Sequence, residues 1–165
     1  MSEEMMDHVT EHDEVVGTFP RSEIYSRQLR HRIAHVFLLD AQGRVALARR
    51  GKDISYCPDH WCSTAAGHVA AGESYEDAAL REMQEEIGVA VPLTFVGVTP
   101  FVKSGTTHHK LLGVYTAQYE GLFVCDPHEV QYVEYRTVEE IRAMLLNEQE
   151  LVHPETRELL QKYFL

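Results

Sequence analysis

The chain has 165 residues, of which 15 are Lys or Arg and 26 are Asp or Glu, giving a formal net charge of −11. Because attraction to a phosphate backbone needs a basic surface, this charge argues against a generic nucleic-acid binder, and no nucleic-acid polymer is expected as a partner. The hydrophobic content of 44% is typical of a folded chain, and the length predicts one domain. No apolar run approaches the roughly 20 residues of a membrane helix, so no membrane partner is expected.

The amino terminus and the cysteine content predict where the protein resides. The first residues, Met1-Ser2-Glu3-Glu4, are acidic where a secretory signal is basic and then apolar. The cysteines are odd in number and irregularly spaced, which favours free thiols over a disulfide framework: Cys57, Cys62 and Cys125. We therefore expect a cytoplasmic protein.

The negative charge is concentrated in two segments. Residues 1–14 hold six acids and no Lys or Arg, and residues 67–89 hold six acids and one Arg. Residues 15–66 between them carry eight Lys or Arg against four acids. An acidic patch therefore lies beside a basic stretch, and a functional hypothesis has to explain that pattern.

The first part of the chain predicts a polar start followed by strands. Residues 1–13 are predicted to be a flexible acidic segment ahead of one domain at 14–165. Apolar runs separated by turn residues predict the next elements: a strand at 14–18, a short helix at 21–28, a β-hairpin at 32–39 and 44–49, and a buried strand at 61–66.

The clearest helix of the sequence begins after Gly72. Ser74, three residues before Asp77, fits a capping box, and Gly88 suits the left-handed position just past the carboxyl end of the helix. Apolar residues recur every four positions between these ends and predict the buried face: Tyr75, Ala79, Met83 and Ile87.

The rest of the chain predicts three more strands and two more helices. The strands are expected at 93–102, 110–119 and 130–135, and a helix at 137–146. Pro154 occupies the tolerated first position of a last helix, which would bury Leu159 and Leu160. Strands interleaved with helices predict an α/β (α+β) sandwich.

Three carboxylates crowd one face of the predicted helix after Gly72. Residues of a helix advance by about 100° each, so Glu82, Glu85 and Glu86 fall within an arc of roughly 100°. Like charges this close repel one another unless a cation lies between them. A hard divalent ion such as Mg²⁺ prefers oxygen ligands of this kind. A solvated acidic helix face is the alternative explanation from these residues alone.

The spacing of the residues around this face is highly specific. Gly67 is followed, after five residues, by Glu73, and after seven more by the run Arg81-Glu82-Met83-Gln84-Glu85-Glu86-Ile87-Gly88-Val89. This pattern matches the signature of one family position for position: the chain resembles a Nudix (MutT-like) hydrolase. The resemblance implies an α/β/α sandwich with a mixed β-sheet between helices.

The resemblance also implies roles for the residues of this motif. It makes Glu82, Glu85, Glu86 and Arg81 the catalytic residues, with Mg²⁺ or Mn²⁺ held by Glu85, Glu86 and the carbonyl of Gly67. Glu82 would be a further metal ligand or the base that activates water. Arg81 and Glu73 would form a structural pair that orients the carboxylates, and Gly88 belongs to the same structural set.

The reaction implied by the resemblance is a metal-assisted attack of water on phosphorus. The substrate would be a small molecule with a diphosphate linkage, such as a nucleoside diphosphate joined to another group, X. The chemistry is physically reasonable, because a divalent cation neutralises charge on phosphoryl oxygens and lowers the pKa of bound water. The protein would then act as a pyrophosphatase of such compounds, and a homodimer is left open.

A second resemblance concerns a branch of the same superfamily. His31-Arg32, Ala48-Arg49-Arg50, Trp61 and Gly67-His68 look like the isopentenyl diphosphate isomerase group and its hydrolase relatives. The chain carries Ala66 where the isomerase has its catalytic Cys, and His108-His109-Lys110 near the position of its Glu-x-Glu pair. These departures favour hydrolysis of a diphosphate over isomerisation of a double bond.

Basic residues upstream of the motif are candidates for substrate binding. Arg49, Arg50 and Lys52 could hold substrate phosphates, because guanidinium groups match phosphate oxygens. The alternative is that one of the two arginines points to solvent at the end of a strand.

Auxiliary roles are open for several other residues. His31 and His68 fall at positions that bind metal in the isomerase, although a surface or packing role is the alternative. Glu129 and His109 could assist the catalytic water or contact substrate from loops, or be ordinary loop residues. The spacing of Cys57, His60, Cys62 and His68 matches no common zinc pattern.

Two other functions compete with hydrolysis. One is an isomerase of isopentenyl diphosphate, which the missing Cys and Glu pair disfavours. The other is a catalytically silent nucleotide-binding regulator on the same fold. Such a regulator would be expected to lose a carboxylate of the motif, and none is lost in this sequence.

Overall fold

A computed structural model describes residues 2–165. The strands are β1 (Met5–Val9), β2 (Val15–Pro20), β3 (His31–Leu39), β4 (Val45–Arg50), β5 (Trp61–Cys62), β6 (Ala65–His68), β7 (Thr94–Val102), β8 (His109–Gln118) and β9 (Val130–Arg136). The helices are α1 (Arg21–Ser26), α2 (Tyr75–Ile87), α3 (Val138–Leu146) and α4 (Pro154–Tyr163). Within residues 2–165, no helix is both long and apolar enough to cross a bilayer.

A mixed sheet forms the middle layer, with β3 at its centre. On one side β3 pairs in parallel with β8, which pairs in turn with β7, and on the other side it pairs with the antiparallel β6. Strand β4 pairs with β9 and β5, antiparallel to both. The central position explains why β3 is buried along most of its length and is largely apolar from residue 33 to residue 39, since a strand covered on both faces must be apolar on both.

Helices cover the two faces of this sheet. One core cluster contains Ala79, Met83 and Ile87 of α2 packed against strand residues. The second contains residues of α3 and α4, among them Ile141, Leu159 and Leu160. The α/β/α sandwich predicted from the sequence is therefore confirmed.

The predicted hairpin of β3 and β4 is a fork rather than a continuous ladder. The two strands are registered only at Leu39 and Val45, next to their connecting turn, and then diverge. Thr64 lies between them: its hydroxyl oxygen accepts from the Leu38 N–H at 2.9 Å, and the hydroxyl donates to the Ala46 carbonyl at 2.6 Å. The buried segment that contains Thr64 thus separates two strands that local sequence pattern would pair.

The prediction of a flexible segment at residues 1–13 is wrong for Met5–Val9. These residues form β1, which pairs with β2 and buries Met6 and Val9 completely. The carboxylate of Asp7 accepts from the Thr18 hydroxyl at 2.7 Å and from the Gly72 N–H at 2.9 Å. The high acid content concealed this strand, and the register shift between His8 and Val9 places its two buried apolar residues three positions apart, so no simple alternation marked it.

Helix α2 begins and ends where its sequence predicts. The Ser74 side chain accepts from the Asp77 N–H at 3.0 Å, and Gly88 follows the helix in the left-handed conformation with φ of 67°. Only half of a capping box is present, because the bond from Asp77 back to Ser74 is not made within the described residues. These ends fix which helix positions face the sheet and which face the site.

Candidate active site

A cavity of about 970 Å³ opens beside β6 and the carboxyl-terminal half of α2. One part of its wall is acidic and belongs to α2 and a nearby loop: Glu82, Glu85, Glu86, Asp126 and Glu129. Another part is basic and comes from four separate segments: Arg21, Arg50, Lys103 and Lys110. The predicted motif therefore lines a cavity large enough for a small-molecule ligand.

Arg81 connects the elements that carry the motif. Its guanidinium donates to both carboxylate oxygens of Glu73, at 2.9 and 3.0 Å, and to the His68 carbonyl at 3.0 Å. It also donates to Glu82 at 2.6 Å. The hydrogen bonds to Glu73 hold the pKa of Arg81 above its ordinary value, so this arginine stays charged and fixes the loop before α2 to the helix.

The backbone of Gly67 lies directly against the Glu82 carboxylate. A Cβ atom at this glycine would come within 2.2 Å of the Glu82 carboxyl carbon, so no larger residue fits without moving that side chain. The Glu86 carboxylate accepts from the Ala66 N–H at 3.2 Å on the same strand. Two carboxylates thus lie directly against the backbone of β6.

Burial makes these two carboxylates difficult to ionise. The pKa of Glu82 is raised to about 6, chiefly by burial, although the bond from Arg81 opposes the rise. Burial likewise raises the pKa of Glu86 well above its ordinary value, and the charges of Glu82 and Glu129 raise it further. A divalent cation would offset this repulsion, so the donor chemistry fits the metal that the motif implies.

The carboxylates do not form a compact metal cage with the present side-chain positions. Within residues 2–165, no three His, Cys, Asp or Glu side chains are arranged to hold an ion by themselves. Glu85 is the outlying member, with a side chain that is 60% exposed and 3.5 Å from Arg81. A metal at this site would have to draw on backbone oxygen, water or substrate as well.

Of the three basic residues predicted to bind substrate, only Arg50 lines the cavity. Its guanidinium donates to the carbonyls of Cys57 at 3.1 Å and Tyr56 at 3.0 Å, which aligns it along the loop at the cavity edge. Arg49 pairs instead with Asp59 at 2.9 Å, because neighbouring strand residues point to opposite faces. Lys52 is exposed and lies outside the cavity lining. The structure therefore brings Arg50 to the cavity and places Arg49 and Lys52 outside its lining.

The auxiliary residues are divided between the cavity and its surroundings. Glu129 lines the cavity, and so does His68, whose Nε2 lies 2.7 Å from the Tyr25 hydroxyl. His31 is completely buried behind the wall, with its ring 4.9 Å from that of His108. His109 is exposed and lies outside the lining, so the structure does not bring it together with the other candidate residues.

A buried polar network in the cavity wall was missed from the sequence. Lys110 donates to Glu155 at 2.7 Å, the other Glu155 oxygen lies 3.0 Å from His35 Nε2, and His35 Nδ1 lies 2.8 Å from the Ser63 hydroxyl. Burial by itself would raise the pKa of Glu155, but the His35 bond and the Lys110 charge outweigh it and lower that pKa. One signal was available, because His35 interrupts the apolar run between residues 33 and 39.

The family profile described as the NUDIX domain matches residues 29–163. An uncharacterized Nudix hydrolase of Streptomyces coelicolor is 44% identical over 89 residues, which are 54% of this chain and 49% of that protein. A prenyl-diphosphate phosphatase of Methanosarcina mazei is 30% identical over 162 residues, 97% of this chain and 95% of the relative.

Two further comparisons extend over nearly the whole chain. An isopentenyl-diphosphate Delta-isomerase of Nocardia farcinica is 34% identical over 158 residues, 93% of this chain and 90% of the relative. A crystal structure from Deinococcus radiodurans superimposes with a TM-score of 0.82 at 28% identity, covering 98% of this chain and 100% of the other. Relatives named for different activities are thus similar to this chain over nearly its whole length.

Proposed function

The chain belongs to the Nudix hydrolase family, and we propose that it hydrolyses a small diphosphate compound with the help of Mg²⁺ or Mn²⁺. The substrate class that we propose is a nucleoside diphosphate derivative or a related diphosphate. The observation that supports this most strongly is the burial of Glu86 beside Glu82 in the cavity wall. Carboxylates with raised pKa values in a cavity are typical of a site that needs a bound cation.

The residues of the cavity supply the following parts of this reaction. Glu82, Glu86 and the carbonyl of Gly67 would hold the metal, with Glu85 moving toward it from its exposed position. When bound, a divalent cation supplies charge neutralisation at the phosphoryl oxygens and a more acidic water molecule. Glu129 faces the same carboxylates and is suited to accept a proton from the attacking water.

Arg50 and Arg81 have separate tasks in this proposal. Arg50 lines the cavity and can donate to phosphate oxygens, while its bonds to the loop carbonyls keep it in place. Arg81 is engaged by Glu73, Glu82 and a backbone carbonyl, so it orients the carboxylates instead of reaching the substrate.

The Glu86→Gln variant tests the metal-dependent reaction. A panel of diphosphate compounds would be incubated with Mg²⁺ or Mn²⁺, and release of phosphate and of nucleoside monophosphate measured. We expect at least one compound to be hydrolysed, and the variant to lose about 100-fold or more in kcat, as when a group that stabilises the transition state is removed.

Glu76→Gln is the matched control, because Glu76 is an exposed residue of the same helix and lies outside the cavity. It should keep wild-type turnover. Equal turnover in Glu86→Gln and wild type would contradict the proposed role of this carboxylate. Tight binding of a nucleotide with no hydrolysis across the panel would favour the silent regulator.

Isomerisation of isopentenyl diphosphate remains the competing activity, because one relative is named an isopentenyl-diphosphate Delta-isomerase. The cavity does contain a cysteine, Cys62, but burial raises the pKa of its thiol to about 12 and the thiol faces the Ala48 carbonyl at 3.5 Å. Ala66, next to Gly67, offers no acid or base. Incubation with isopentenyl diphosphate should therefore give no dimethylallyl isomer.

A further inference from the structure

The cavity has a second polar wall that the metal-dependent reaction does not use. Lys110 lies opposite His31 in the register of β8 with β3, and Gly67 lies opposite Ala34 on the other side of β3. The two positions are two strand spacings apart across the sheet and three residues apart along it, which is roughly 14 Å between Cα atoms. A ligand held at the acidic helix would extend toward this second wall.

The ammonium group of Lys110 is held rigidly in that wall. Lys110 and Glu155 have only 7% and 5% of their side chains exposed, and their ion pair is 2.7 Å long. His35 binds the second oxygen of Glu155 and is itself only 2% exposed. One carboxylate therefore orients the lysine, whose ammonium has two further protons to donate.

Unsatisfied polar groups accompany this ion pair. His153 lines the cavity, and its buried Nδ1 has no hydrogen-bond partner in the described residues. The Lys103 ammonium lies 4.7 Å above the Tyr56 ring centroid, and no ion pair within residues 2–165 includes it. The Tyr56 ring is also 5.5 Å from the His153 ring, so these groups lie together.

An apolar group X would be poorly accommodated by such a wall. Covering the ammonium groups with a hydrocarbon would remove water from them without replacing its hydrogen bonds, and would leave the buried nitrogen of His153 without a partner. An anionic oxygen group could instead accept from Lys103, Lys110 and His153. The charges favour this, because Lys110 is paired with Glu155 while no ion pair within residues 2–165 includes Lys103.

We propose that the wall formed by Lys103, Lys110 and His153 binds a second anionic group, a phosphate or a carboxylate, on the part of the substrate beyond the diphosphate. This specifies the substrate class of the function proposed above and rests on it. A prenyl diphosphate, whose hydrocarbon chain would face this wall, is by this inference a poor ligand for this chain, although one relative is named for that class.

The test uses matched, non-hydrolysable ligands and measures binding. Methylenediphosphonate monoesters are prepared in a series of chain lengths, each ending either in a methyl group or in a carboxylate. Their dissociation constants for the full chain are measured by calorimetry with Mg²⁺ present. We expect the best carboxylate-ended compound to bind about tenfold more tightly than its methyl-ended match, the effect of one charge-assisted hydrogen bond.

Lys103→Met should remove this preference, and Lys162→Met is its matched control. Lys103 is half-buried at the wall, so its loss is tolerated more easily than that of the buried Lys110. Lys162 is an exposed residue of α4 outside the cavity, and its replacement should leave the tenfold ratio unchanged. The methyl-ended ligands should bind wild type and Lys103→Met equally.

The results separate this inference from the proposed function. Equal binding of both ligand series to wild type, tighter binding of the methyl series, or an unchanged ratio in Lys103→Met would overturn the inference. The diphosphate panel decides independently whether the protein hydrolyses such compounds. Calorimetry measures the ratio of the dissociation constants of the two ligand series whether or not the panel shows hydrolysis.

Discussion

Glu155 is a residue whose environment differs sharply from what its sequence position suggests. It lies in the first turn of α4, where acids are common, yet it is buried and bound to Lys110 and His35. Removing its charge would leave a buried ammonium group uncompensated. We expect Glu155→Gln to lower the free energy of unfolding by about 3 to 5 kcal/mol at pH 7, measured by urea denaturation.

Glu158→Gln provides the control, because Glu158 is an exposed acid of the same helix. Glu158→Gln should change the free energy of unfolding by no more than about 0.5 kcal/mol. The lowered pKa of Glu155 means that its contribution is full above the unfolded pKa of about 4.5 and is lost as the pH falls further. A loss in Glu155→Gln no greater than in Glu158→Gln would show that the ion pair does not stabilise the fold.

His31 gives the fold a dependence on pH. Burial lowers its pKa from 6.5 to about 4, and the nearby Lys110 and His108 charges add to that effect, with Glu155 opposing it. The rings of Tyr25 and His68 face it as well. Below pH 6.5 the unfolded chain takes up a proton that folded His31 does not, so stability falls as the pH drops toward 4.

The expected size of the His31 effect can be measured. Between pH 7 and pH 5, wild type should lose about 2 kcal/mol more than His31→Phe, because the variant lacks the titrating group. His12→Phe serves as the control, since His12 is exposed and should leave the pH dependence unchanged. A His31→Phe variant with the pH dependence of wild type would contradict this linkage.

Local spacing predicted only part of the site at the level of residues. Arg81, Glu73 and Glu82 lie close together along the chain, so helix geometry and the motif placed them correctly. Lys110 and Glu155 are 45 residues apart and meet through tertiary packing, which no local pattern encodes. The choice between Arg49 and Arg50 depended on which face of β4 points to the cavity, and the sequence leaves that open.

At the scale of elements, the fork between β3 and β4 depends on a single threonine. Thr64 satisfies the Leu38 N–H and the Ala46 carbonyl, both buried where the strands separate. Valine has nearly the same shape but can make neither bond. We expect Thr64→Val to lower the free energy of unfolding by about 2 to 4 kcal/mol, measured by thermal or urea denaturation.

Thr94→Val is the matched substitution, because Thr94 is exposed on β7 and should tolerate the change. If Thr64→Val and Thr94→Val had the same free energy of unfolding, Thr64 would not be the residue that stabilises the separation of β3 and β4. The fork also explains why the predicted hairpin was only partly correct. Two apolar runs around a turn predict adjacent strands, but the segment that separates them comes later in the sequence.

At the scale of the whole molecule, the acidic start of the chain is part of the domain. Strand β1 is registered with β2, and the Met5 carbonyl accepts from the Ala71 N–H at 2.8 Å, close to the start of α2. We expect the hydrogen-bonded amides of Met5–Val9 to exchange with solvent much more slowly than those of an unstructured peptide, measured by hydrogen exchange. If these amides exchanged at the rate of an unstructured peptide, the flexible segment predicted from the composition would be the correct description.

The cavity also draws on both ends of the chain. Glu3 and Arg21 contribute to it from one end, and His153 and Glu155 from the other. During synthesis the acidic helix α2 can form long before α4 has been made. A nascent chain would therefore carry the carboxylates without the opposite wall, and ligand binding that needs both walls would report that α4 has been made and has packed against the sheet.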